Sequence, residues 1–319
     1  ARRAGPRQGV TLFDAAGENA RLSSARARFG LPSSGPALPL AGDVGQRRYF
    51  RVASGGGAHL VLVLYPTPSS QPQARWREIG AALADAGIRV PQLFDDDPDS
   101  GAALVEDLGD RDLAAEIRDA GEAERDRLLQ DAEELLGPLR RIDPAAALLN
   151  PPFDAAFFGA ELAHTRRWAL ERDGAAPLTE GRSALWEDLA GRLAHDAADP
   201  SLVGEAVPTH RDFHANNLMR APDGSLAVID FQDLRLGPPD YDPVSLRFER
   251  AGSLCPARGE AYREAVLLQR AWKVLGTFEK MLSFGRDVYR PHRDSALRAI
   301  RTWTSPGGPY RPLLDFLPG

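Results

Sequence analysis

Two short stretches of this chain carry the residue types that could do chemistry: "HRDFHANN" at 210–217 and "IDFQD" at 229–233. Between them, "NLMR" (217–220) and "LAVIDF" (226–231) flank the turn "APDG" (221–224). An Asp-Gly turn between apolar segments predicts a β-hairpin. The two ends of an antiparallel pair lie side by side, about 5 Å apart. Asn217 enters the first strand and Asp230 leaves the second, so the hairpin should deliver an amide oxygen and a carboxylate to one point. Hard oxygen donors on one side, with room for water and phosphate oxygens on the other, suit Mg²⁺. Asp212, on the loop five residues before Asn217, is the candidate proton acceptor.

Two other readings of these residues stand beside this one. The polar residues could cap a turn, but a carboxylate at the end of the apolar strand "AVIDF" would then be buried without a partner, at a cost of several kcal/mol. Alternatively His210, Asp212 and His214 could ligate zinc. Such a site needs a third or fourth strong ligand, and His59, His164, His195 and His292 stand without ligand-like neighbours.

The surrounding pattern predicts an α+β fold of two lobes. Residues 1–41 read as an N-terminal extension with a helix at 11–30, followed by a Pro/Gly-rich crossing at 31–43. Residues 42–109 read as a small lobe: strands at 47–54 and 58–65 joined by "GGG" (55–57), a helix at 73–87, and strands at 90–97 and 102–110. Residues 110–319 read as a larger, mainly helical lobe, with periodic runs at 111–141, 154–173, 181–198 and 257–284. The junction falls near Glu106–Asp110.

Composition narrows the function classes. The 319 residues carry 39 Lys+Arg against 45 Asp+Glu, a formal net charge of −6 that argues against nucleic acid as the main partner. Only Lys273 and Lys280 are lysines. Cys255 is the single cysteine, so no disulfide framework is expected, in keeping with a cytoplasmic protein. The most apolar run, "LVLVLY" (60–65), is too short to span a bilayer. The N-terminus, "ARRAGPRQGV", lacks the apolar run of a secretory signal. The chain begins without Met, which leaves its native start open, and oligomeric state is not legible.

The spacing His-Arg-Asp-x-x-x-x-Asn resembles the catalytic loop of protein kinases, and the later Asp-Phe resembles their metal-binding turn. Too few residues separate Asp230 from "GPPDYDPVSL" (237–246) for a peptide-binding activation loop, so a small-molecule acceptor is expected. With this loop, the Ile-Asp-Phe strand and the Tyr-Asp pair, the chain resembles the aminoglycoside phosphotransferase and choline kinase superfamily over roughly 42–290. Within it, "RRYFRV" (47–52), "IDFQDLRLGPPDYDPVSL" (229–246) and "LLQRAWKVLGTFEKM" (267–281) look most like the bacterial anomeric sugar kinases.

That resemblance implies a bilobal protein-kinase-like fold and transfer of the ATP γ-phosphoryl group to an amino sugar such as N-acetylmuramate or N-acetylglucosamine, as in cell-wall recycling. Asp212 would be the catalytic residue, Asn217 and Asp230 the Mg²⁺ ligands, and His210 and Asp242 the supports of the loop. His214 and Asp242 also read as a structural residue and an N-cap. Nucleotide contacts are expected at "GDVGQRRYF" (42–50), through Gly42 and Gly45, and at the connector "VEDLG" (105–109), through the Glu106 carbonyl and the Leu108 amide.

A kinase's third strand carries a phosphate-binding lysine, and here that strand reads "LVLVLY". Arg47, Arg48 or Arg51 would have to reach the phosphates instead, which arginine's planar fork suits. Otherwise the chain is a nucleotide-binding pseudokinase. Glu78 reads as a partner for one of those arginines or as a solvated charge. Trp272 and Phe278 read as core, and Lys273 as a group that could meet an acidic substrate. An aminoglycoside or choline kinase is the other alternative.

Overall fold

The computed structural model describes residues 15–40, 47–66, 70–172, 176–248 and 262–318. The chain divides into two compact units, Ala1–Ala74 with Pro91–Asp107, and Arg75–Val90 with Leu108–Gly319.

The first unit holds helix α1 (Ala15–Arg28) and strands β1 (Leu38–Leu40), β2 (Arg48–Ala53), β3 (His59–Leu64), β4 (Leu93–Asp97) and β5 (Ala102–Glu106). They form one antiparallel sheet in the order β1-β2-β3-β5-β4. The β2–β3 turn uses Gly55 and Gly57, both at φ 86°, as the glycine run requires. Alternation along β2 sends Phe50 and Val52 to the face where Leu22 and Ala25 of α1 pack, with Leu62, Leu64, Ala102 and Leu104. Each of the larger side chains contributes roughly 2 kcal/mol by leaving water. Arg21 ties α1 to the sheet by donating to the carbonyls of Tyr65, Ser100 and Gly101. Strand β1 lies in the Pro/Gly-rich stretch read as a surface crossing. Its tripeptide "LPL" is too short to show alternation.

Helix α2 (Ser70–Asp85) ends just before Gly87, which sits at φ 81°. Residues 75–90 group with the second unit, whereas the sequence pattern assigned the whole helix to the small lobe. The reason is packing: Ile79, Leu83 and Ile88 bury against α3 (Leu113–Asp119), α4 (Glu122–Glu134) and Phe231. The second unit continues with the one-turn helices α5 (Leu136–Leu139) and α6 (Pro144–Ala147), then α7 (Ala155–Thr165) and α8 (Glu180–Ala198). After α9 (Pro200–Val203) come β6 (Val207–Thr209), β7 (Leu218–Arg220), β8 (Leu226–Val228) and β9 (Arg235–Gly237). The helices α10 (Tyr241–Phe248), α11 (Glu264–Ser283) and α12 (Arg290–Trp303) complete it.

The expected hairpin is β7–β8, registered Leu218↔Val228. A second ladder, β6–β9, brackets it and fixes the loop on either side. Helix α11 is the spine of the unit, with Trp272 and Phe278 in the core. It crosses α7 at Gly276, where a Cβ would stand 2.6 Å from the Thr165 Cα. Among the described residues no helix is long and apolar enough to cross a membrane.

Candidate active site

The loop after β6 begins with a backbone conformation that needs holding. Arg211 sits at φ 81°, the left-handed region that a bulky side chain avoids. Asp242, buried at the start of α10, clamps the turn. Its Oδ2 accepts from the His210 amide at 2.6 Å and its Oδ1 from the Arg211 amide at 3.0 Å. Burial pushes the Asp242 carboxyl up, although His210 and the two amides pull the other way. The buried His210 ring donates from Nε2 to the Ile229 carbonyl at 3.0 Å and meets Phe213 edge-on at 5.8 Å. It ties the loop to the far strand of the hairpin.

Asp212 follows with its carboxylate 23% exposed. Lys273 Nζ lies 2.9 Å and Arg270 Nη2 3.2 Å from the same oxygen, Oδ1. Both cations come from α11; Arg270 is buried and Lys273 half-buried, 3% and 14% exposed. Burial alone would raise the Asp212 carboxyl. Lys273, Arg270, Arg211 and His214 outweigh it and hold the group well below the ordinary carboxylate range. Arg270 is fixed by the Arg211 carbonyl at 2.6 Å, by Ser245 Oγ at 2.9 Å, and by the Tyr241 ring. Both contacts fall on Oδ1, so Oδ2 is the carboxylate oxygen that Lys273 and Arg270 leave unengaged.

Asn217 and Asp230 stand at the two ends of the hairpin. The Ile229 amide donates to the Asn217 carbonyl at 3.0 Å, which brings the next residue, Asp230, alongside. Asn217 Nδ2 donates to the Asp212 carbonyl at 2.8 Å. A carbonyl can only accept, so the amide nitrogen must face it, and Oδ1 is the atom left to act as a ligand. Asp230 adopts φ 60°, and its Oδ1 accepts from Gln232 Nε2 at 2.9 Å. Phe231 is buried against Trp76, ring centroids 5.1 Å apart, which pins the turn from below. An amide oxygen and a carboxylate braced this way fit a hard divalent cation such as Mg²⁺.

The zinc reading finds its donors engaged elsewhere. His210 Nε2 bonds a carbonyl and Asp212 bonds two cations. Among the described residues no three His, Cys, Asp or Glu side chains gather as a metal cage. His214 is buried.

Sequence reasoning did not assign several of these groups. Arg270 and Lys273 lie 58 and 61 positions from Asp212. Lys273, read as a possible contact for an acidic substrate group, meets the loop carboxylate instead. Gln232 orients Asp230, and Asn150 Nδ2 holds the Gln232 carbonyl at 2.9 Å. Asp112 caps α3 and accepts from Asn216 Nδ2 at 2.8 Å, bracing the loop from outside.

The residues expected to meet nucleotide in the first unit stand as follows. Gly42 and Gly45 lie outside the described residues. Arg48 and Arg51 project from opposite faces of β2, so they cannot serve one phosphate group together. Arg48 pairs with Glu18 of α1 at 3.1 Å. Arg51 forms a two-point pair with Asp107, at 2.5 and 2.9 Å, which would have to open before it bound phosphate. Arg47 lies over the Tyr49 ring. Glu106 is anchored to Gln92 through both its amide and its carboxylate. In the second unit, Leu108 is buried with Ala221 and Ala227. Glu78 is exposed and has no ion pair among the described residues.

Comparison with known proteins adds a lineage. The pattern of the phosphotransferase enzyme family (APH) matches residues 36–290. An N-acetylmuramate/N-acetylglucosamine kinase of Neisseria meningitidis serogroup B is 30% identical over 288 residues, covering 82% of this chain and 83% of that protein. A kinase of the same description from Pseudomonas aeruginosa is 32% identical over 209 residues, 66% of this chain, and the match spans only 58% of that relative. Among solved structures, a thermostable mutant of an aminoglycoside phosphotransferase superposes with a TM-score of 0.61 at 16% identity, covering 88% of this chain and 99% of that one. A choline kinase from Streptococcus pneumoniae gives 0.59 at 14% identity, with 89% and 99% covered. The fold is the protein-kinase-like fold of that group.

Proposed function

The chain belongs to the phosphotransferase enzyme family, and we propose that within it this protein transfers the γ-phosphoryl group of ATP to the anomeric hydroxyl of an amino sugar such as N-acetylmuramate or N-acetylglucosamine. It would do so in the cytoplasm, where ATP is available. The observation that carries this reading is the hairpin register. It supports the reading by setting the Asn217 backbone against Ile229, the neighbour of Asp230, while the Asn217 side chain bonds the backbone of Asp212. The curated relatives support the choice of acceptor.

Asn217 Oδ1 and the Asp230 carboxylate would hold Mg²⁺, which supplies positive charge to the phosphate oxygens of the nucleotide. The remaining work belongs to the chain. Asp212 Oδ2 accepts a hydrogen bond from the acceptor hydroxyl and aims its lone pair at phosphorus. The new O–P bond forms as the bond to the departing ADP oxygen breaks, and the hydroxyl proton passes to Asp212. A carboxylate held so acidic is a weak base at rest. That suits a loose transition state, in which the proton moves late and orientation matters most. Lys273 and Arg270 keep the carboxylate in place and moderate charge around it.

ATP consumption measured across amino sugars, aminoglycosides and choline tests the assignment. Turnover confined to N-acetylated amino sugars, with phosphate on C1, is expected. Turnover only with choline or an aminoglycoside, or nucleotide binding without transfer to any acceptor, contradicts it.

A further inference from the structure

Both lysines of the chain lie on α11, seven residues apart, and so on one face of that helix, about 10 Å along its axis. Lys273 faces Asp212. Lys280 lies over the indole of Trp168, 5.8 Å from the ring centroid. The neighbouring helix runs alongside in the same direction. Glu161 accepts from Gln269, Thr165 donates to the Trp272 carbonyl, and Trp168 meets Lys280. One α7–α11 strip therefore leads from the catalytic carboxylate to Trp168.

Three features mark the far end of that strip as a binding surface. First, residues Arg166–Leu170 leave α-helical geometry for a π-helical turn that carries Trp168. Such turns are rare and concentrate at functional sites. Second, Phe284 packs edge-on to the half-buried Trp168 at 5.7 Å yet is 52% exposed, which leaves an aromatic ring at the surface beside the indole. Third, the cations here are unbalanced. Arg166, Arg172, Arg293 and Lys273 all pair with carboxylates. Lys280 and Arg167, on the same indole, have no carboxylate partner among the described residues, and Arg167 bonds only the Glu171 carbonyl. His164 adds no charge near neutrality, because burial, then Lys280 and Lys273, push it below the usual imidazole range despite Glu161.

We infer that Lys280, held over Trp168, is a specificity-determining residue that captures a carboxylate carried by the acceptor sugar, while Trp168 and Phe284 receive the apolar face of its ring. This rests on the amino-sugar reading above. It deepens that reading by favouring an acidic acceptor over a neutral one, and by disfavouring cationic acceptors such as choline or aminoglycosides. The spacing between the lysines suits a monosaccharide whose reacting hydroxyl sits at Asp212 and whose acid substituent reaches one or two helical turns further on.

The test compares wild type, Lys280→Met and Lys280→Arg, with N-acetylmuramate and N-acetylglucosamine as an acid and a neutral probe. Steady-state kinetics give the ratio of kcat/KM for the two sugars, and calorimetry gives their Kd values without turnover. Lys280→Met should lower the acid-over-neutral ratio about tenfold, the loss of one charge-assisted contact, with a matching loss in N-acetylmuramate affinity. Lys280→Arg should restore most of both. A ratio that moves less than about twofold, or an equal loss for both sugars as a merely structural role would give, overturns the inference. If wild type turns over neither sugar but binds N-acetylmuramate through Lys280, the kinase assignment falls and this inference stands. If wild type binds neither sugar, this inference falls.

Discussion

Lys273 places its ammonium 2.9 Å from Oδ1 of Asp212, so the loop carboxylate is ion-paired across 61 residues of sequence. The pairing sets the electrostatic character of the site. It favours the ionised form of Asp212 despite partial burial, and it engages only one of the two carboxylate oxygens.

The pH profile should register this pairing. The folded-state pKa of Asp212 is depressed, so its contribution to stability is present above the unfolded value of about 3.9 and is lost as pH falls through the folded value. The acidic limb of kcat/KM due to this group should therefore lie below about pH 4 in the wild type. Lys273→Met removes the foremost of the opposing charges and leaves the desolvation. The limb should move upward into the measurable range while kcat falls. An unchanged profile in that variant would show that Lys273 does not govern Asp212.

Closeness of α7 and α11 at Gly276 makes a stability prediction. A methyl group there would stand 2.6 Å from both Cα and Oγ1 of Thr165. Because Cα is backbone, relief requires the helices to separate. Gly276→Ala should cost about 1–3 kcal/mol and lower Tm by several degrees. Gly191→Ala, on α8 with nothing within 4 Å of its added methyl, is the control and should hold or raise Tm. Equal Tm values for the two variants would contradict the packing described for the spine helix.

Metal dependence probes the hairpin ends. Asn217→Ala removes one proposed oxygen ligand together with the bond to the Asp212 carbonyl. It should raise the Mg²⁺ concentration needed for half-maximal activity about tenfold or more, with a smaller fall in kcat at saturating metal. Gln232→Ala leaves both proposed ligands in place and removes only the Gln232 bond to Asp230 Oδ1, so its effect on Mg²⁺ dependence should be weaker. A Mg²⁺ titration that is identical in wild type and Asn217→Ala would remove Asn217 from the ligand set.

The hairpin was legible because local chemistry determines it: Asp223-Gly224 makes a turn, and the apolar residues beside it alternate into a ladder. The strands of the small sheet and the main helices were legible for the same reason. What the pattern left unread depends on long-range pairing. Lys273 reads in sequence as a contact for an acidic substrate group, and only the packing of α11 against the loop shows that it meets Asp212. The β6–β9 ladder involves Pro208 and Gly237, residues with poor strand propensity, and β9 is also held by the Phe153 amide, which donates to the Leu236 carbonyl. Arg48 and Arg51 read alike in sequence, and only the pairing of β2 with its neighbours shows which of them meets α1.

Phosphate transfer from ATP to N-acetylmuramate, followed side by side in wild type and Asp212→Asn, tests the central claim most directly. The asparagine keeps the size of the side chain and removes its capacity to take a proton. Wild type should phosphorylate the sugar, and the variant should lose about 10³-fold or more in kcat while its affinity for ATP stays within about threefold. Near-normal turnover by Asp212→Asn would contradict the account, because transfer would then proceed without the residue around which the loop is built.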